Sequence, residues 1–253
     1  MNKEDVIKNK NEAIKVITDY LDSCLAIDDN SSIKKVNLIS YWQKDYINYI
    51  KDENAFNPIN LKTYERGDII KVNLGFNIGS ELGGLHYCVV LDKKNNRNSP
   101  VITVIPLSSQ KTTKVNKNSI MLGNDIYNKL VEKSNQLLED SQKEIEENKS
   151  KLLIETKKLM EKNATSDEIY KKTIELNNNI TEAYKKLELA EKINNEVQKM
   201  KYGSIAIINQ IRVISKQRIY DPKTEFDILS GIKLSDDNLD LIDEKIRKMF
   251  VKN

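Results

Sequence analysis

Chain-breaking residues are scarce in this sequence: eight glycines and four prolines in 253 residues, with aromatics at only 6%. Such thrift excludes a collagen-like or low-complexity chain and suits long helices, and the length is enough to bury a sizeable core. Two cysteines, Cys24 and Cys88, stand alone without a CxxC spacing, so neither a disulfide framework nor a zinc site follows from them. Both are expected to be buried and reduced, as in a cytoplasmic protein. No stretch approaches the ~18 consecutive apolar residues of a membrane span, and the N-terminal MNKEDVIKNKNEAIK has no apolar signal-peptide core. The expectation is a cytoplasmic protein with no membrane contact. One-sided charge is missing too: 41 Lys and Arg against 38 Asp and Glu leave +3, too little to argue for nucleic acid. Arginine is absent from residues 125–201, where every cation is lysine; Arg66, Arg97, Arg212, Arg218 and Arg247 all flank that segment. Arginine forks a phosphate with two donors, which makes the flanks the better phosphate-facing surface, unless lysine simply suits a solvated helix.

What is present falls into four textures. Residues 1–60 read as an N-terminal helical region. Val6, Ile7, Ala13, Ile14, Ile17, Tyr20, Leu21 and Leu25 recur at helical spacing, Asp28–Ser32 breaks the run, and Leu38, Ile39, Trp42, Tyr46, Ile47 and Ile50 continue it. Trp42 reads either as part of a packed helix face or as a stacking platform for bases. From Arg66 to Gly123 the pattern is of short strands, at Asp68–Leu74, Tyr87–Leu91 and Val101–Ile105. Five of the eight glycines lie between Gly67 and Gly84. Residues 125–201 carry two heptad series, Val131, Leu138, Ile145, Leu152, Leu159 and Ile169, Leu176, Ala183, Ala190, Val197, on either side of Asn163–Ser166. Thr165 and Glu168 form a capping box. This predicts an antiparallel coiled-coil hairpin about 55 Å long. Its seam is thin, with Ser134, Ser141 and Asn148 at core positions, so it is expected to pack on the N-terminal helices or another chain as well. Strand texture returns over Gly203–Ile214. A C-terminal helix follows, capped by Ser235, with Leu239, Ile242, Ile246, Phe250 and Val251 as its buried face. A hairpin whose ends meet can interrupt a sheet without breaking it. Residues 61–124 and 202–253 therefore read as one discontinuous domain, and the chain as α+β.

Four stretches of that divided domain resemble the PemK/MazF toxins: Arg66–Val72, Gly79–Leu91, Val104–Gln110 and Ser204–Arg218 with its Gln-Ile-Arg and Lys-Gln-Arg. The resemblance covers about half the chain and leaves out residues 1–60 and the hairpin. It implies a small SH3-like barrel, usually a homodimer. It also implies metal-independent endoribonuclease activity on single-stranded RNA without a cofactor, and an antitoxin partner that covers the RNA groove. In the family an arginine after the glycine-rich loop pairs with a Thr or Ser at a later strand end. By position the hydroxyl is Ser108, with Ser109 beside it. The arginine's place is held by His86, and the proline that usually follows it is Tyr87.

A histidine suits the chemistry, since an imidazole exchanges protons near neutral pH and is the side chain best fitted to take the proton of an RNA 2′-hydroxyl. Ser108 would hydrogen-bond the phosphate, and Arg97 or another cation would offset the charge that develops there. The remaining candidate RNA contacts are Ser80 and Glu81 on a mobile loop, Ser109, Gln110, Gln210 and Arg212. By strand alternation Gln210 and Arg212 share a face. Gln210 reads equally as a structural hydrogen-bonding residue, and Lys216 and Arg218 as phosphate contacts or merely solvated cations. Gly79–Gly84 fits no Walker or dinucleotide pattern. Two other readings stay open. One is a catalytically inactive barrel that binds RNA or protein, with the hairpin as interaction element. The other is an assembly protein in which the hairpin drives oligomerisation.

Overall fold

The computed structural model describes residues 2–110, 116–161, 164–201 and 203–252. Among these the chain forms five α-helices and seven strands, and it divides into two compact units. One comprises residues 1–56 with 73–85; the other comprises 57–72 with 86–253. No described helix is long and apolar enough to cross a membrane.

The first unit is built from α1 (Lys3–Leu25), α2 (Asn30–Asp52) and the glycine-rich loop. Asn2 caps α1 by accepting from the Glu4 and Asp5 amides. The predicted break falls where expected: Asp28 takes φ +54°, and Asp29 opens α2 by accepting from the Ser32 amide at 2.7 Å. Trp42 is a packed residue, tilted against Tyr46 and Tyr49, with its indole against Gly75. The loop that was expected to be mobile is tied down. Asn73 Nδ2 donates to Asp45 (2.9 Å), and Asn77 Nδ2 donates to the Leu74 and Leu82 carbonyls (3.1 and 2.6 Å). The Gly84 amide closes back on Gly75 O at 2.6 Å.

The second unit is an antiparallel sheet. Its strands are β1 (Ile69–Asn73), β2 (Leu85–Val90), β3 (Val101–Ser109), β4 (Ser119–Gly123), β5 (Ser204–Ile207), β6 (Arg212–Ser215) and β7 (Ile219–Asp221), the ends of β1 and β2 running into the first unit. The order is β4-β5-β3-β2-β1-β7, with β6 also on β3. This corrects the expected closed SH3-like barrel: among the described residues β4 and β7 do not pair, and the sheet stays open. The reason lies in β3. Its first half (Val101–Val104) pairs with β6 and its end (Leu107–Ser109) with β5, so this long strand serves two ladders on one edge and β2 on the other. The expected third strand accordingly runs on through Pro106 to Ser109. The stretch read as one strand after Gly203 is broken at Ile208–Gln210 by a 3₁₀ turn.

Between β4 and β5, where a tight turn would suffice, the chain inserts α3 (Asp125–Glu161) and α4 (Ser166–Lys199). Gly123 and Ser204 are partners in the β4–β5 ladder, and Asn124 Oδ1 accepts from the Gly203 amide at 2.8 Å, so the hairpin's two ends are stitched together. The Thr165–Glu168 capping box forms; Asn163, in the expected turn, lies outside the described residues. The polar seam is real. Ser134, Ser141, Ala183 and Ala190 are all buried, and Ser134 Oγ donates across the seam to Ala190 O at 2.9 Å. The root of the hairpin belongs to the sheet's own core. Ile126, Leu130, Ile193 and Val197 cluster with Ile69, Val89, Ile105, Leu107 and Ile242. Lys133 reinforces the joint by donating to the Asp227, Ile228 and Ser230 carbonyls (3.3, 2.9 and 2.7 Å).

The last helix, α5 (Asp236–Phe250), buries Ile242 and packs Leu239 and Ile246 on the core. Phe250 and Val251, expected on that face, are exposed, while Met249 beside them packs on the core. Ser235 occupies the cap position without a side-chain cap bond. Cys24 and Cys88 are both free and buried.

Candidate active site on the β2–β3 face

Side chains alternate between the two faces of a strand, so the observed registers decide which residues meet. Cys88 pairs with Pro106, Val90 with Val104, and Val104 in turn with Arg212. The β2–β3 ladder stops at Cys88 and Pro106, and strand alternation carries the argument on to His86 and Ser108, two residues further along β2 and β3. His86, Cys88, Ser108 and Arg212 thus share one face of the sheet, while Tyr87, Val89, Ile105 and Leu107 face the core beneath the hairpin.

His86 is half-buried at the start of β2, and its Nδ1 lies 2.8 Å from the Leu107 carbonyl oxygen. A carbonyl only accepts, so Nδ1 carries the proton and Nε2 holds the lone pair of the neutral ring. Ser108, half-buried, sits one residue beyond that carbonyl and pairs with Ile205; Ser109, exposed, pairs with Ser204. Gln110 closes the strand end. Its amide donates to Gly203 O at 3.0 Å, and its side chain lies over Gly203, where any Cβ would come within 2.5 Å of Oε1. Gly203 sits at φ +78°, so both the conformation and the close approach call for glycine there.

On the same face the Arg212 guanidinium donates to Gln210 twice, to its carbonyl at 3.4 Å and its Oε1 at 3.1 Å. Gln210 is on a 3₁₀ turn and not on a strand, yet the two side chains meet as the alternation argument expected. Below them burial pushes the Cys88 thiol up to about 12, against the pull of the Arg212 and Arg218 charges. Arg218 is near enough for its charge to act on the same thiol.

Arg97 does not join the group. It lies in the β2–β3 turn, at the far end of both strands from His86 and Ser108, and its Nε donates to Ile59 O at 2.9 Å. Lys216 is a second correction. It is only 2% exposed, donates to Asn96 O at 3.1 Å and stands 5.8 Å from the Tyr64 ring centroid, so it faces no phosphate. Ser80 and Glu81 are exposed on the loop of the first unit.

One polar group of this unit was not foreseen. Glu196 of α4 is ion-paired with Lys71 of β1 and accepts from the Tyr87 hydroxyl, and Lys71 Nζ lies 5.2 Å from the Tyr87 ring centroid. Burial raises the Glu196 carboxyl, but the bonds from Lys71 and Tyr87 outweigh it and leave the group below the usual carboxylate range. Tyr87 is raised by burial first and by Glu196 second, so it remains a phenol and donates. The three residues lie as far as 125 positions apart, and no local pattern connects them. Among the described residues no group of three or more His, Cys, Asp or Glu side chains is arranged to hold a metal ion.

The fold is thus α+β, an open antiparallel sheet with an imidazole, a hydroxyl and the Arg212 guanidinium on one face, interrupted by a helical hairpin. The family model of the PemK-like, MazF-like toxin of type II toxin-antitoxin system matches residues 65–163. That segment, which takes in β1–β4 and α3, is similar to this toxin family. No curated protein matches the chain.

Proposed function

We propose that the protein is a toxin-type endoribonuclease that cleaves single-stranded RNA at the His86–Ser108 face without a metal or other cofactor. The observation that carries this reading is the His86 contact: Nδ1 lies 2.8 Å from Leu107 O, and in the Nδ1–H form that this contact favours Nε2 is left as a proton acceptor on the face shared with Ser108. Nε2 takes the proton of the 2′-hydroxyl, whose oxygen attacks the adjacent phosphorus. The P–O bond to the 5′-oxygen breaks, and water protonates the leaving oxygen. The products are a 2′,3′-cyclic phosphate and a 5′-hydroxyl. Ser108 Oγ–H hydrogen-bonds a phosphate oxygen, and Arg212 and Arg218 offset the charge of the phosphorane. Gln110 and Ser109, at the end of β3, are placed to contact the neighbouring nucleotides. The toxin class implies an antitoxin that covers the RNA groove, and a homodimer is the assembly we expect.

The test is cleavage of a long single-stranded RNA in EDTA, with the fragment ends mapped. Wild type is expected to leave cyclic phosphates at discrete sites. His86→Ala should lower the rate by about 10²–10⁴-fold, the usual worth of a positioned proton acceptor. Ser108→Ala should give a smaller loss. Cutting that survives His86→Ala would remove the histidine from the mechanism. RNA binding without cutting by folded, antitoxin-free wild type would favour the inactive binding module.

A further inference from the structure

We propose that Glu196, supplied by the inserted hairpin, is a positioning residue for His86 and acts through Tyr87. The inference rests on His86 being the reacting imidazole, although part of its test does not.

His86 and Tyr87 are consecutive on β2, so their side chains leave the strand on opposite faces and one rotation of the backbone moves both. The β2–β3 register runs from Cys88 to Val90, which leaves His86 and Tyr87 ahead of it. On the core side, however, Tyr87 is held at several points. Its hydroxyl donates to Glu196, its ring packs against the core, and Lys71 of the neighbouring strand stands over the ring while pairing with the same carboxylate. With Tyr87 fixed, the peptide ahead of it cannot turn, and the imidazole keeps the direction that brings Nδ1 to Leu107 O. Glu196 lies in the last turn of α4, whose C-terminal dipole disfavours an acid, so helix stability does not account for a carboxylate there.

The test exploits the single histidine of the chain. Nitrogen-15 spectra of histidine-labelled protein report one imidazole, and the two ring shifts distinguish the Nδ1–H from the Nε2–H tautomer. Wild type is expected in the Nδ1–H form. Glu196→Ala and Tyr87→Phe should move the ring toward the Nε2–H form, which free imidazole side chains prefer. They should also lower kcat for RNA by about tenfold with KM within about twofold. Glu196→Gln keeps an oxygen that accepts from Tyr87 and should restore both readouts. Unchanged ring shifts in folded Glu196→Ala and Tyr87→Phe would overturn the proposal, and so would a loss of cleavage with the ring undisturbed, which would make the cluster purely structural. If Glu196→Ala fails to fold, Tyr87→Phe, which leaves the Lys71–Glu196 pair in place, decides. Should wild type cut no RNA, the ribonuclease reading fails while the ring shifts still settle whether Glu196 positions His86.

Discussion

At Gly75 the backbone takes φ +82°, and the Trp42 indole lies where a side chain would go; an added Cβ would stand 2.7 Å from ring atom Cζ2. Alanine there meets two obstacles, a left-handed backbone and a rigid ring, and the cost should be about 2–3 kcal/mol. Because Trp42 is the only tryptophan, Gly75→Ala is expected to shift the protein's indole emission to the red and lower the melting temperature of the first unit. An unmoved emission maximum would show that the loop, and not the indole, yields. The same scale shows what could be read from the sequence. His86 and Ser108 could be put forward together because each lies within a short motif whose strand frame fixes its neighbours; their role in cleavage is the proposal made above. Arg97 was misplaced because a sequence shows that a turn exists but not which end of the hairpin it occupies. Lys216 was misjudged because its burial depends on Asn96 and Tyr64, 120 and 152 positions away. Tyr87 as a partner of Glu196 was invisible for the same reason: 109 residues separate them, and each alone reads as an ordinary half-exposed side chain.

Taken as elements, the two long helices differ from root to tip. The last buried residue of α3 is Ile145 and the first of α4 is Leu176; beyond them Leu153, Ile154, Met160 and Tyr170 are exposed. Few buried contacts mean low local stability, so amides over 146–175 should exchange with solvent well before those near Leu130 and Ile193. A variant lacking 146–175, with Ile145 joined to Leu176 through a short glycine turn, should keep its fold and its melting temperature within about 5 °C. Removing the whole of 125–201 should instead expose the core that Ile126, Leu130, Ile193 and Val197 cover, and circular dichroism should show the sheet lost as well as the helices. A stable sheet after the full deletion would mean that the root only rests on the core. The heptads were legible because about five repeats of one period outweigh local noise. Among the strands β4 and β7 went unread, having five and three residues and little room for alternation. The β5–β6 break was hidden too, since Ile205, Ile207, Ile208, Ile211 and Ile214 keep the run apolar through the 3₁₀ turn that divides it.

For the molecule as a whole, the α+β class followed from textures that change sharply along the chain. Whether the sheet closes did not, because closure depends on whether distant edge strands meet. The path ends at β7, and β7 meets β1 at the pair Lys71 and Asp221, so the Lys71–Tyr87–Glu196 cluster sits where β1, β2 and α4 are held to one another. Its charge state should therefore be felt in global stability. The folded Glu196 carboxyl titrates below its ordinary value of 4.5, because the bonds from Lys71 and Tyr87 overcome the burial that would raise it. A depressed carboxyl contributes stability that is complete above the unfolded value and is lost as pH falls through the folded one. Glu196→Gln retains the oxygen facing Tyr87 but gives up the charge facing Lys71, and should cost about 1–2 kcal/mol at neutral pH. Asp221 moves the other way, raised by burial, so its own contribution falls as pH rises through the carboxylate range and does not mimic the effect. Melting temperatures of wild type and Glu196→Gln between pH 7 and 3 should differ most at neutral pH and converge in acid. A gap that stayed constant across that range would mean the carboxylate's charge does not stabilise this joint, leaving only the shape of the side chain to do so.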